Sequence, residues 1–364
     1  MLDWHLSHAF SLARAGRWFL ESGIQEPSGG VARFYLSDIG KNKPVSTEIT
    51  GYTASALVYL FEVTGEDTYL ERARQTARFL LDQVWDEPLG AFPFEHPSPS
   101  VESHHHTYFF DCGIIVCGLL AVWRHTREPR LLEVAHTAAR AMVADFHSGF
   151  DYHPVLELPA KEPLPRAERW SRLPGCYQLK AALGWNELAE VESDGSLRKA
   201  WLEMLDAALA THRSFLDSGD ASPATMDKLH AYCYFLEGLT PVLDQAACAQ
   251  VYAEGIATVS GLVRRIEPFF VRSDVLAQLL RARLYGARVV VPDAPAAASE
   301  AAALATFQAS GDDPRIDGGF VFGRRDGAMS PHINPVSTAF ALQALEMWRL
   351  FQAEGRPVCR RTLI

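Results

Sequence analysis

The sequence predicts an all-α fold in which six inner and six outer helices close into a double ring. Three observations carry that expectation. Apolar residues recur at spacings of three and four along most of the 364 residues, while sustained period-two alternation is nearly absent. Segments that are apolar on almost every side alternate with segments charged along one face, and a helix apolar all round is buried all round. The first third also repeats itself at a shift of 62 residues, which sets Gly51 on Gly113, Leu57 on Leu119, Thr64 on Thr126, Leu70 on Leu132 and Ala73 on Ala135. The repeating unit is a helical hairpin, one apolar helix followed by one amphipathic helix.

A first helix is expected from Leu2. The next starts near Glu48 and contains the small apolar run Ala54-Ser55-Ala56-Leu57. The turn Thr64-Gly65-Glu66-Asp67 leads to its outer partner, where Tyr69, Leu70, Ala73, Ala77, Leu80, Leu81 and Val84 share one face. A second inner helix starts near Tyr108 with Gly113-Ile114-Ile115-Val116. Its outer partner from Pro129 carries Leu132, Ala135, Ala139, Met142 and Phe146 on one stripe. Further helices are expected from Gly175, Ser196, Lys228, Ala246, Ser273, Ala298 and Pro335. The alanine-rich stretch from Pro292 to Ala305 reads as the fifth outer helix, because alanine is the best helix former. The last helix, with Val336, Ala339, Phe340, Leu342, Leu345 and Trp348, is too apolar to cap an open solenoid. Pairing it with the first closes the ring. No domain boundary is evident, so residues 1–364 are read as one domain. The clearest strand-like pieces are Ala91 to Phe94 and Gly319 to Phe322.

Hydrophobic residues make up 48% of the chain, enough for a large core, and 34 Lys and Arg face 44 Asp and Glu, a formal charge of −10. That balance argues against nucleic acid, whose phosphates need a surplus of cations. No apolar run approaches the roughly 20 residues of a membrane helix. Asp3 and His5 stand where a secretory leader would be basic. The six cysteines form no CxxC pair, which fits reduced thiols, and the expected location is cytoplasmic.

In a closed ring all inner helices start at one mouth, and polar residues at those starts line it. Glu48 and Asp111 occupy two consecutive starts. They are the residue types of a glycosidase pair, one acid and one base or nucleophile about 5–9 Å apart. Equally, each suits a helix N-terminus through capping and the dipole. His230, Tyr234 and Glu237 fall at i, i+4 and i+7 of one helix. They form either an acid/base set able to move a proton at a carbon or a glycosidic oxygen, or a buried network that fixes packing. Arg272 suits a bidentate clamp on a uronate carboxylate, or an ion pair with Asp274 or Glu237. Tyr52, Tyr108, Trp170 and Tyr177 offer stacking platforms for a pyranose face, or core rings with wet hydroxyls. Gln178, Lys180, Asp274 and Asn334 add polar groups for sugar hydroxyls, and Lys180 needs a partner if buried. Within His104-His105-His106, neighbouring residues seldom chelate one ion, so no metal is expected and His106 is read as a donor to a sugar hydroxyl. No cofactor is expected.

Several segments together resemble the (α/α)6-toroid carbohydrate-active proteins. They are Glu48-Ile49-Thr50-Gly51-Tyr52, the turn Thr64 to Asp67 before Tyr69-Leu70, Lys228-Leu229-His230 with Glu237-Gly238-Leu239, Arg272-Ser273-Asp274-Val275 with Gln278, and Gly318-Gly319-Phe320. That group includes N-acylglucosamine 2-epimerases, unsaturated glucuronyl hydrolases, the helical domain of glucuronyl C5-epimerases and toroids found with exopolysaccharide biosynthesis. The resemblance implies an enzyme acting on an oligo- or polysaccharide, with an acidic sugar as the expected substrate. Hydrolysis would use Glu48 with Asp111 or Glu237. Epimerisation would use His230 with Tyr52 or Tyr234. The alternative is a non-catalytic toroid that binds a glycan or a glycosyltransferase during polysaccharide assembly. Fold likeness alone does not choose between them.

Overall fold

The computed structural model describes residues 10–96, 106–149, 151–216, 222–357 and 361–364. In chain order its helices are α1 (Leu12–Glu21), α2 (Thr47–Thr64), α3 (Asp67–Phe79, continued by a π-turn over Leu80–Val84), α4 (Phe109–Thr126), α5 (Pro129–Asp145), α6 (Gln178–Ala181), α7 (Leu183–Val191) and α8 (Gly195–Phe215). They continue as α9 (Pro223–Gly238), α10 (Ala246–Ile266), α11 (Ser273–Gly286), α12 (Ala294–Ala305) and α13 (Pro335–Glu354). The expected order of apolar and amphipathic helices is therefore present, with one apolar helix divided into α6 and α7.

Internal contacts group the chain into two compact units. The central unit comprises Gln25–Arg33 and Pro44–Phe215, and the terminal unit Met1–Ile24, Phe34–Lys43 and Leu216–Ile364. In the central unit α2, α4 and α6 pack side by side, and α3, α5 and α8 cover α2, α4 and α7. In the terminal unit α11 packs between α9 and α13, with α10, α12 and α1 outside them. The start of the first helix expected at Leu2 lies outside the described residues; α1 begins at Leu12, where Ser11 accepts the Arg14 amide.

Glycine sets the spacing of the inner helices in the central unit. A Cβ on Gly51 would lie 2.9 Å from the Ile115 Cα, and one on Gly118 2.5 Å from the Gly51 carbonyl oxygen. A Cβ on Gly113 would lie 2.4 Å from the Ala181 carbonyl oxygen. The repeated glycine is thus a backbone-to-backbone contact, made by α2 on α4 and by α4 on α6. The repeat extends to the helix ends. Gly65 and Arg127, also 62 apart, both close their helices in the left-handed region, at φ 73° and 56°.

Capping moved two expected starts upstream. Ser222 accepts the Thr225 amide and Pro223 opens the helix, so α9 starts before Lys228. Asp293 accepts the Ala296 amide, so α12 starts before Ala298. Small antiparallel sheets occupy the loops. In the central unit β3 (His106–Tyr108) pairs with β4 (Val155–Glu157), which pairs with β5 (Glu162–Pro163). In the terminal unit β1 (Tyr35–Leu36) pairs with β2 (Lys41–Asn42) and β9 (His332–Ile333). There β7 (Gly323–Arg325) pairs with β6 (Phe270–Arg272) and β8 (Ala328–Met329). The strand-like pieces expected at Ala91 and Phe320 form isolated bridges only.

Contrary to the expectation from sequence, two described helices, α4 and α10, are long and apolar enough by length and composition to cross a membrane. The apolar window of α4 is 72% buried inside the fold.

Gly113→Ala is expected to destabilise the protein by about 2–3 kcal/mol, because the new methyl meets backbone that has no room to yield. Urea unfolding midpoints of the variant and of wild type measure this. An unchanged midpoint would remove close backbone approach as the reason for the glycine.

Candidate active site

In the central unit two carboxyl side chains come together at the starts of α2 and α4. Ser46 caps α2 by accepting the Ile49 amide, and the Thr47 hydroxyl donates to the Pro93 carbonyl at 2.8 Å. These bonds anchor the first turn that carries Glu48. At α4 the Phe109 amide donates to the Pro154 carbonyl at 3.0 Å, and Thr107 donates to the Phe92 carbonyl at 2.9 Å. No side chain caps α4. Neither carboxyl is therefore used as a cap, which disposes of the capping role the sequence left open for them.

Asp111 is 5% exposed, and its Oδ2 is buried without a hydrogen-bond partner. Burial raises its pKa well above the usual carboxylate range, and the neighbouring Glu48 charge raises it further, against the opposing charge of Arg33. Burial likewise pushes Glu48 up to about 7, again opposed by Arg33. Two interacting carboxyls in a desolvated setting titrate as a pair, and one keeps its proton at neutral pH. Arg33 is committed to Glu95 by an ion pair and lies over the Phe94 ring. The sequence offered no signal for Arg33 and Glu95, which sit in irregular segments outside any helical period.

Aromatic rings flank the pair. Tyr177 packs on Phe110 at 5.8 Å and edge-on to Trp170 at 5.1 Å, and burial and then the Asp111 charge raise its phenol. Its hydroxyl donates to the Leu173 carbonyl, so Tyr177 supports the site from within the core. Trp170, Tyr108 and His106 are half-buried and remain able to meet a ligand. Tyr52 and Lys180 are buried. Gln178 spends both ends on backbone, donating to the Tyr152 carbonyl and accepting the Gly175 amide, each at 3.1 Å. It holds a loop. His104 and His105 lie outside the described residues.

A second polar cluster is built in the terminal unit on α9 and α11. His230 Nδ1 faces Gln278 Oε1 at 2.8 Å, and Nε2 faces the Tyr234 hydroxyl at 2.9 Å. An amide oxygen only accepts, so Nδ1 carries the proton and Nε2 accepts from Tyr234. Burial, and secondarily Arg272, lower His230 to about 4, so the ring is neutral at pH 7. Arg272 grips Asp274 with two bonds of 2.9 and 2.6 Å and reaches Asp227 at 2.7 Å. Burial alone would raise Asp274, but the Arg272 guanidinium and then His230 hold it below its ordinary value. The uronate clamp expected of Arg272 is thus occupied by two of the protein's own carboxylates.

Glu237 sits one layer deeper, 1% exposed, ion-paired with the fully buried Arg281. Arg281 also donates to Gln343 Oε1 and to the Ile364 carbonyl, each at 2.9 Å, and its guanidinium lies 4.0 Å from the Phe340 ring centre. Glu237 shares the face of His230 as expected, but here it fixes packing. Arg281 was legible in principle, since it stands seven residues after Asp274 on the same face. Asn334 caps α13 by accepting the Val336 and Ser337 amides. Among the described residues no group of three His, Cys, Asp or Glu is arranged to hold a metal ion.

The raised pair has a consequence for stability. Burial lifts Glu48 to about 7 in the folded chain from the ordinary 4.5, so between these values the folded state binds the extra proton. Stability is then fully present below pH 4.5 as far as this group is concerned, and falls as pH rises through 7. Glu48→Gln should remove that fall and raise stability at pH 8 by on the order of 3 kcal/mol. Denaturant midpoints of both proteins at pH 5 and pH 8 check it; a wild-type midpoint that rises with pH in parallel with the variant's would show that Glu48 is not raised.

No protein-family model matches the chain, and no curated protein matches it by sequence. Solved structures do match by fold. A sugar epimerase from a ruminal bacterium superposes with TM-score 0.73 at 9% identity, over 95% of this chain and 99% of that one. A cellobiose 2-epimerase from Bacillus thermoamylovorans gives 0.66 at 12% identity, over 90% and 95%. An inactive variant of an alpha-1,6-mannanase from a Salegentibacter species, in complex with alpha-1,6-mannotriose, gives 0.58 at 9% identity, over 91% and 97%. The chain has the (α/α)6-toroid fold that these sugar-handling proteins share.

Proposed function

We propose that the protein is an enzyme that cleaves glycosidic bonds by acid/base chemistry, with Asp111 as general acid and Glu48 as general base. The observation that supports this reading is the unpartnered, buried Asp111 Oδ2 beside a carboxyl that titrates near neutrality. A carboxyl kept protonated at pH 7 can give its proton to the leaving glycosidic oxygen as the C1–O bond breaks. A neighbour ionised at the same pH can take a proton from the water that attacks C1. Glu48 then holds the proton that Asp111 has lost, and exchange with solvent resets both. Trp170 and Tyr108 supply half-buried aromatic surface for the apolar face of a pyranose. The names of the fold neighbours, two epimerases and a mannanase, are in keeping with a saccharide substrate.

The cations that flank the two clusters, Arg33, Arg272 and Arg281, are each committed to a carboxylate. A uronate would meet no uncommitted guanidinium among these three. The reading therefore favours a neutral sugar over the acidic one expected from sequence.

A second reading is epimerisation in the terminal unit. It rests on the Tyr234–His230 bond, which joins a phenol to a neutral imidazole and is competent to pass a proton. Proton NMR with neutral oligosaccharides in deuterium oxide separates the two. New reducing-end anomeric signals mean cleavage, whereas exchange of a ring C–H without new ends means epimerisation. Unchanged spectra together with saturable binding would instead indicate a glycan-binding or assembly protein.

Asp111→Asn and Glu48→Gln are each expected to lower kcat by at least about 100-fold with KM changed by only a few-fold. The wild-type rate should rise with pH through the Glu48 transition near 7 and fall where Asp111 ionises. Glu237→Gln is expected to act on stability, by about 3 kcal/mol, since it strands a buried guanidinium. Steady-state kinetics beside urea unfolding checks all three variants; full turnover by Asp111→Asn would sink the mechanism.

A further inference from the structure

The central unit contains a cavity of about 750 Å³ between the loop that carries Tyr152, the turn at Pro174-Gly175 and the exposed side of α8. It is lined by none of the residues placed in the catalytic pair. We propose that this cavity is a second, non-catalytic saccharide-binding site that takes a neutral oligosaccharide. The proposal rests on the reading that the protein's ligand is a saccharide, but not on any catalytic role.

The lining has the two surfaces that a pyranose needs. One wall is apolar and built from Leu173, Pro174, Met204, Ala207, Ala208 and the edge of Phe215. Phe215 reaches that position because residue 175 has no side chain, since a Cβ on Gly175 would come within 2.9 Å of the Phe215 ring. The rim is polar and its charges are already balanced. Lys199 faces Glu203 at 3.7 Å, and Arg166 holds Asp151 at 3.0 Å. A site with paired charges has nothing to offer an anion or a cation, while carboxylate oxygens and hydroxyls remain good acceptors and donors for sugar hydroxyls. Thr211 and Ser214 donate inward to the Ala207 and Thr211 carbonyls, which leaves their oxygens as acceptors.

Tyr152 is the anchor. Its ring is held by Phe109 at 5.3 Å, His147 at 5.4 Å and Trp185 at 5.4 Å. Glu203 also lines the cavity, and burial, and then the Glu203 charge, push the Tyr152 phenol up to about 12. A phenol and a carboxylate that line one cavity can hydrogen-bond hydroxyls of one sugar ring. The volume, about 750 Å³, lies within the roughly 300–1,000 Å³ usual for small-molecule sites.

Methyl NMR reads this site without turnover. The protein would be labelled with 13C-methyl methionine, the Met204 signal identified through Met204→Leu, and cellotriose and alpha-1,6-mannotriose titrated separately to millimolar concentration. The expected result is a saturable shift of the Met204 methyl with at least one sugar. Glu48→Gln should retain the shift, and Thr211→Trp, which fills the cavity from an exposed position on α8, should abolish it. Tyr152→Phe should weaken binding about three- to tenfold. A Met204 methyl that moves with neither sugar overturns the proposal, and so does a shift that survives Thr211→Trp. Loss of turnover in Glu48→Gln with the shift retained separates this site from the catalytic one. A shift without any turnover in wild type leaves this site standing and removes the proposed chemistry.

Discussion

The contact of one inner helix backbone with the next, through Gly51, Gly113 and Gly118, is the constraint on which the central unit depends. Side chains normally keep helix axes about 8–10 Å apart, and glycine permits the lower end of that range. Here the missing Cβ atoms let α2 touch α4 and α4 touch α6. Glu48 stands three residues before Gly51, and Asp111 stands two before Gly113. The close packing therefore brings the first turns of α2 and α4 together, and with them the two carboxyls. Bulkier residues at these positions would separate the helices and weaken the mutual effect that keeps Asp111 protonated.

The two polar clusters solve the problem of buried charge in opposite ways. In the terminal unit each acid has a cation: Asp274 has Arg272, and Glu237 has Arg281. Such groups are tied to one another by ion pairs, which suits a scaffold. In the central unit Asp111 has one oxygen with no partner, and Glu48 and Asp111 disfavour each other's ionised form. An isolated buried carboxylate is costly, so the proton stays. A carboxyl maintained in its neutral form near pH 7 is unusual and is most readily understood as a proton donor.

Most of the helical order was legible in the sequence because each helix is long and strongly periodic. The starts of α3, α5, α10, α11 and α13 coincide with expectation at Asp67, Pro129, Ala246, Ser273 and Pro335. Starts set by a single cap, such as Ser222 and Asp293, were displaced, since one side-chain bond outweighs a short stretch of pattern. The small sheets escaped detection because strands of two or three residues present no period to read. Site residues divided along a similar line. Periodicity placed His230, Tyr234 and Glu237 on one face, but it could not say that Arg281 would claim Glu237 or that Gln278 would fix the His230 tautomer. Those facts depend on neighbours 44 and 48 residues away in the chain.

Commitment of polar groups, more than their identity, distinguishes scaffold from chemistry in this molecule. Gln178, the side-chain oxygen of Asn334 and Arg272 are groups a sugar site would use, yet each is already bonded by the protein itself. A ligand would have to displace those bonds, and exchanging one good buried hydrogen bond for another yields little net free energy. Neither Asp111 nor Glu48 serves as the side-chain cap of its helix. On the proposed function, a saccharide arriving there would satisfy an oxygen that folding left unsatisfied, so its binding would recover free energy that the fold had forgone. Under the same reading, a protein rich in polar side chains at its helix starts would concentrate reactivity in a single pair of them.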